Sequence, residues 1–238
     1  MTGRSRHISL ALAIGIAVSL VAGARADTVS LNLSGLVNSD LTTYTEGWSY
    51  PQHGGPITIG GVPFTLATIG PNSDTAVIQS STDYGADQTF SLNVGLFGVT
   101  SAFTLINTAF GVCGTTVGAV EFVGSSTTYT YDLTEGNNVR DHYNGYYCNG
   151  IGLSDRMIYF GFDRLDRQSI VLPDAFAHET LESIVFESFG QGVGGAPFLA
   201  AITLDPASNA VPEPVTWPLG LIALLAMPLV HRRRRTQQ

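Results

Sequence analysis

Thr127-Thr128-Tyr129-Thr130-Tyr131-Asp132-Leu133 sets the two tyrosines and Leu133 on one side of an extended chain and Thr128, Thr130 and Asp132 on the other. A repeat of two with an apolar and a polar side is the pattern of a half-buried strand. Similar runs extend outward from it in both directions, at 29–36, 62–69, 75–79, 88–94, 101–110 and 117–123, then at 156–162, 169–172, 181–188 and 198–204. Gly, Asn, Asp, Ser and Pro separate them, which is the punctuation of turns. Only at 175–184 does a helical reading compete, because Leu181, Ile184, Phe186 and Phe189 keep no clean alternation. No other stretch has a helical period long enough to supply crossover helices, so a parallel sheet is disfavoured. The expected fold is all-β, an antiparallel β-sandwich of jelly-roll-like type.

Both ends of the chain read as addresses. Arg4 and Arg6 precede an apolar segment at 8–21, and Ala24-Arg25-Ala26 offers the small residues that a signal peptidase reads, with cleavage before Asp27. Residues 1–26 are therefore expected to be a signal peptide and 27–204 the sandwich domain. A linker at 205–211, rich in Pro, Ala, Ser and Asn, would hold the domain off a membrane. Pro212-Glu213-Pro214 follows, then an apolar run at 215–230 and Arg232, Arg233, Arg234 and Arg235. As a short transmembrane helix that run reaches roughly 24 Å against a hydrocarbon core of about 30 Å. The arginines would stay on the cytoplasmic side and leave everything before the run outside.

Pro-Glu-Pro, a short apolar span and an arginine cluster, in that order, resemble the PEP-CTERM sorting signal of exported bacterial proteins. The resemblance implies recognition of Pro212, Glu213 and Pro214 by a membrane-embedded exosortase, removal of the tail at 212–238, and delivery to the cell surface or extracellular matrix. The chain would contact the membrane through this segment only before processing. Gly60-Gly61-Val62-Pro63-Phe64, the run from Glu135 to His142, and Asp166-Arg167-Gln168 followed by Leu172-Pro173 also resemble phrases in sandwich domains of such proteins, some of them galactose-binding-like jelly rolls. That likeness implies a sugar-binding type of fold and transfers no binding residues.

Seven of the 11 basic residues lie in the two address segments, which leaves the region between them with 4 basic and 18 acidic side chains, a net charge of -14, and no lysine. Nucleic acid is a poor partner for such a surface. The two cysteines, Cys113 and Cys148, both fall in the exported region, where a disulfide can persist.

Motifs of catalysis are absent. His178-Glu179-Thr180-Leu181-Glu182 lacks the second histidine of a zinc-protease helix, and there is no Gly-x-Ser-x-Gly. No cofactor is expected. Asp155, Asp163, Asp166 and the loop from Glu135 to Asp141 carry oxygens that could seat a structural calcium ion, without the spacing of a defined calcium loop. The most site-like stretch is 135–149, where Arg140, Asp141, His142 and Tyr143 join amides and further tyrosines around Gly136 and Gly145. Aromatic faces beside amides and a charged pair suit a sugar, which offers C–H faces and hydroxyls. The same residues suit a local charge pair and core anchors beside Cys148. Trp48 and Tyr50 mark a second aromatic loop. The function expected is a non-enzymatic surface or matrix protein with extracellular polysaccharide as a ligand. The competing readings are a polysaccharide hydrolase built on a carboxylate pair, and a structural matrix component that binds no sugar.

Overall fold

A computed structural model describes residues 27–42, 50–79, 87–143, 148, 150, 154–160, 163–189 and 194–207. The expected signal peptide, Trp48, the sorting motif and the apolar run at 215–230 lie outside these residues. Among the described residues no helix is long and apolar enough to cross a membrane.

The chain forms strands β1 (Val29–Ser30), β2 (Ser39–Asp40), β3 (Gly55–Ile59), β4 (Val62–Leu66), β5 (Thr68–Ile69), β6 (Asp74–Gln79) and β7 (Gln88–Phe97). It continues with β8 (Val99–Ala109), β9 (Thr116–Gly124), β10 (Thr128–Thr134), β11 (Ser154–Phe160), β12 (Asp163–Val171), β13 (Thr180–Ser188) and β14 (Ala196–Pro206). The larger sheet runs β11-β12-β8-β14-β6-β2, with β1 on β14 and β5 on β6. The smaller sheet runs β10-β9-β13-β7, and β3 pairs with β4 as a separate hairpin. All the strand pairings are antiparallel, as expected.

Val120, Phe122, Leu133, Ile184 and Phe186 of the smaller sheet meet Ala102, Ile106, Ile170, Leu199 and Ile202 of the larger one in a buried apolar core, so the two sheets form a sandwich. A second core lies on the other face of the larger sheet. There Tyr50 and Phe64 cover Leu105, Leu165, Phe198 and Ala201. The larger sheet's middle strands are therefore covered on both faces, which explains why β14 reads Ala-Pro-Phe-Leu-Ala-Ala-Ile-Thr-Leu without alternation. β7 and β10 have one face open and keep the period of two that marks them in the sequence.

Gly98, with φ 76°, is the corner at which one extended stretch passes from the smaller sheet as β7 into the larger sheet as β8. A side chain in that left-handed conformation would be strained.

Four expectations change. The run at 29–36 is a strand only over Val29–Ser30. The competing helix at 175–184 shrinks to a 3-10 turn, Asp174–His178, because Thr180–Ser188 pairs with β9 and β7 at once and those ladders outweigh a weak helical period. Strand β14 continues to Pro206, two residues into the segment read as linker. Strand β12 begins at Asp163 rather than 169, and that difference creates the site described next.

Candidate functional site

Asp163-Arg164-Leu165-Asp166-Arg167-Gln168 reads as a solvated loop, yet it is the first two thirds of β12 and every one of its residues is buried. From Asp166 onward β12 pairs with β8, beginning at the Asp166–Ile106 register. Before that point the two strands are held apart by a wedge from the loop after β10. The N–H of Thr108 donates to the carbonyl of Arg140 at 2.9 Å, His142 N–H donates to Thr108 O at 2.8 Å, and Arg164 N–H donates to His142 O at 3.1 Å. Residues 140–142 thus stand in for a missing stretch of ladder, and their side chains enter the interior.

The interior they enter is polar. Arg140 Nε is 2.6 Å and its Nη2 2.9 Å from the two carboxylate oxygens of Asp166, a two-point ion pair, and the Asn107 amide donates to Asp166 Oδ2 at 2.9 Å. Arg164 donates from Nε at 3.1 Å and Nη2 at 2.6 Å to the carbonyl of Asp141. Asp141 itself accepts the backbone N–H groups of Phe110 and Tyr143, each at 2.6 Å. The Thr108 hydroxyl sits 2.8 and 2.7 Å from the two carboxylate oxygens of Glu135. Tyr50, reaching over from the second core, shares a 2.6 Å hydrogen bond with His142 Nδ1, and the two rings stack.

Burial dictates how these groups titrate. It pushes the Glu135 carboxyl up to about 8, with the neighbouring charge of Asp141 adding to the effect and the Thr108 hydroxyl opposing it. It raises Asp141 to about 6 against the pull of its backbone donors. It lowers His142 to about 3, and the positive charge of Arg164 works in the same direction. At neutral pH Glu135 therefore carries a proton and His142 is uncharged.

Cys113 and Cys148 form the expected disulfide, with S–S 2.01 Å and Cα–Cα 5.3 Å. It roofs the cluster. Gly136 has φ 78°, and a Cβ placed there would lie 2.5 Å from Cys148 Sγ, so only glycine lets the loop pass beneath the bridge. Gly114 N–H donates to Glu135 O at 2.8 Å and Asp141 N–H to Cys148 O at 3.3 Å, which ties both ends of the bridge to the loop.

The structure brings Arg140, Asp141 and His142 together, but as interior groups 7 %, 1 % and 2 % exposed. Their polar atoms meet interior partners: Arg140 holds Asp166, Asp141 accepts backbone N–H groups, and His142 shares a hydrogen bond with Tyr50. Arg140 pairs with Asp166. Tyr143, half-buried at the rim, is the expected contact that keeps an outer face. Among the described residues no group of three or more His, Cys, Asp or Glu is arranged to hold a metal ion. Asp166, one of the expected calcium donors, is occupied by Arg140 and Asn107. Glu135 and Asp141 are neighbours with raised pKa values, but each is 1 % exposed.

Sequence reasoning missed Arg164, Arg167, Asn107 and Thr108. Arg167 donates to Gly60 O at 3.0 Å and lies over the Phe103 ring, pinning the β3–β4 turn to the larger sheet. One signal was present: of the 4 basic side chains in residues 27–210, three are Arg140, Arg164 and Arg167, all buried. Basic residues that scarce in an acidic chain are kept for internal pairing.

No protein-family model matches the chain, and no curated protein matches it. Among solved structures, the infectious bursal disease virus VP2 subviral particle is similar at 15% identity and TM-score 0.28, over 78% of this chain and 53% of that one. The chain spans about half the length of that protein. A likeness at that level carries no argument about function.

Proposed function

We propose that this chain is an exported, non-enzymatic cell-surface or matrix protein: a jelly-roll-like sandwich released from its leader before Asp27 and sorted through Pro212-Glu213-Pro214, the apolar run at 215–230 and the arginine cluster. The observation that carries the reading is the Cys113–Cys148 bridge, which closes over the buried loop and needs an oxidising compartment to persist. The order of motifs at the two ends supports the same route, with signal peptidase and an exosortase as processing partners. The non-enzymatic part is supported by the strongly perturbed acids, which are spent on interior partners instead of facing a cleft. Extracellular polysaccharide is the ligand class in this reading, and the side chains left to meet it are Tyr143 and Trp48.

Replacement of Glu213 by Ala tests the route. The variant should fold and keep its tail, and normal tail removal would sink the sorting reading. A polysaccharide pull-down with product analysis tests the rest. Retention without cleavage supports a binding module, whereas cleavage of the polysaccharide would overturn the non-enzymatic reading.

A further inference from the structure

At the margin of the buried cluster, backbone geometry brings two aromatic residues to one place. Thr108 and Asp141 form a parallel bridge, so the segments that follow them start side by side. Two residues on, one segment reaches Phe110 and the other Tyr143. A single buried carboxylate holds both. Asp141 Oδ2 accepts the N–H of Phe110 and Oδ1 that of Tyr143, each at 2.6 Å. Short hydrogen bonds to one rigid group fix the two backbones as neighbours.

Phe110 is held under strain. Its φ is 60°, in the left-handed region that a side chain disfavours, and Ser73 is the other described non-glycine residue with a positive φ. A bulky residue stays in that conformation only where its surroundings dictate it, and such residues gather at ligand contacts. Packing alone does not account for it, since Phe110 is 36 % exposed and Val112, two residues on, is 55 % exposed. Tyr143 is half-buried at the same rim.

Size and charge decide what these side chains suit. Three side chains of at most about 250 Å² each, all partly covered, fall well short of the roughly 800 Å² that each partner gives to a stable protein interface. They match one or two sugar rings, whose C–H faces lie on aromatic rings and whose hydroxyls bond to polar edges. Phe110, Val112 and Tyr143 carry no charge at neutral pH, and residues 27–210 hold 4 basic against 18 acidic side chains, with three of the basic ones buried. That balance repels an anionic polysaccharide.

We propose that Phe110 and Tyr143 together form the contact for the sugar rings of a neutral polysaccharide, with the Asp141 carboxylate setting the two residues side by side. Polysaccharide binding itself belongs to the proposed function, on which this site rests. Phe110 is the contact that the residues alone did not mark, because its sequence neighbours read as the end of an ordinary strand.

Pull-down of the full chain on insoluble glucan, mannan and galactan, with polygalacturonate as the anionic comparison, tests this. The native chain should be retained by at least one neutral polysaccharide and not by polygalacturonate. Phe110→Gly, which suits a left-handed backbone, and Tyr143→Ala should each keep the native circular-dichroism spectrum and bind about tenfold or more weakly. Phe110→Tyr, which keeps an aromatic ring in the same place, should bind as the native chain does. Unchanged retention in both Phe110→Gly and Tyr143→Ala would overturn this site and leave polysaccharide binding to another surface. Retention on polygalacturonate alone would overturn the neutral class, and no retention on any polysaccharide would remove the proposed ligand together with the site. A dimer that forms with rising concentration and is lost in Phe110→Gly would also overturn it, by giving the two rings to a second copy of the chain.

Discussion

Between the sheets Val120, Phe122, Ile184, Phe186 and Leu199 meet as hydrocarbon, while at the far ends of β8 and β12 Arg140, Asp141, Arg164 and Asp166 reach the same degree of burial. The two interiors are held by different physics. The apolar one gains roughly in proportion to the area it removes from water, whichever neighbours provide the contact. In the polar one each group must find a particular partner, since an ion taken out of water costs several kcal/mol before pairing returns it. The apolar core should tolerate repacking, whereas the polar cluster depends on one loop being held in one place.

The sharpest break in this comparison comes from removing one charge. Asp166→Ala leaves Arg140 without its partner carboxylate and should cost about 3 to 5 kcal/mol in denaturant unfolding. Phe122→Ala, the apolar counterpart, should cost a similar amount through its cavity. The difference appears in the repair. Arg140→Met combined with Asp166→Leu should recover most of the loss, because an apolar pair needs no partner, and a double variant no better than Asp166→Ala would show that the cluster holds more than this one pair.

Opening the disulfide by Cys113→Ser with Cys148→Ser should destabilise by about 2 to 5 kcal/mol. It should also bring Glu135 back toward an ordinary carboxylate pKa, since the bridge roofs the loop that buries it. An unchanged Glu135 titration, followed by carboxyl NMR, would show that the loop holds without the bridge.

A gentler test uses pH. Glu135 has its folded pKa raised from 4.5 to about 8, so the stability it contributes is complete below 4.5 and is lost as pH rises toward 8. Asp141, raised to about 6, loses its share at lower pH. His142 is lowered from 6.5 to about 3, so its share is complete above 6.5 and is lost in acid. Between pH 6.5 and 8 Glu135 is left acting alone among these three. Stability should fall there by at most about 1.4 kcal/mol per pH unit, the value for one proton. In Glu135→Gln thermal unfolding should be flat across that window, and an unchanged slope would place the titrating group elsewhere.

The smallest effect belongs to the surface. Val171, 76 % exposed, should accept Ser within about 0.5 kcal/mol, and a larger loss would mean that something covers it.

What could be read from the residues alone follows this same division. Strands β7 and β10 were legible because one face of each is open, so the period of two survives in Gln88–Phe97 and Thr128–Thr134. The disulfide was legible because a chain with two cysteines leaves a single pairing. The first part of β12 was not legible, because charge usually marks solvent, and nothing local announces that Arg140, 26 positions before Asp166, will supply the opposite charge. The short strand β3 escaped for a related reason: its Gly55-Pro56 start reads as a turn, and β4 makes it a strand. The site-like loop was found with two readings open, sugar contacts or interior anchors, and the residues alone did not choose between them. Arg140, Asp141 and His142 are the same residues whether they face a sugar or the interior, and only the wedge that 140–142 drive between β8 and β12 decides it. Composition and periodicity determined an all-β antiparallel chain with a bridge. Tertiary structure decided which charges are buried, because burial is a property of what a residue is packed against and not of the residue.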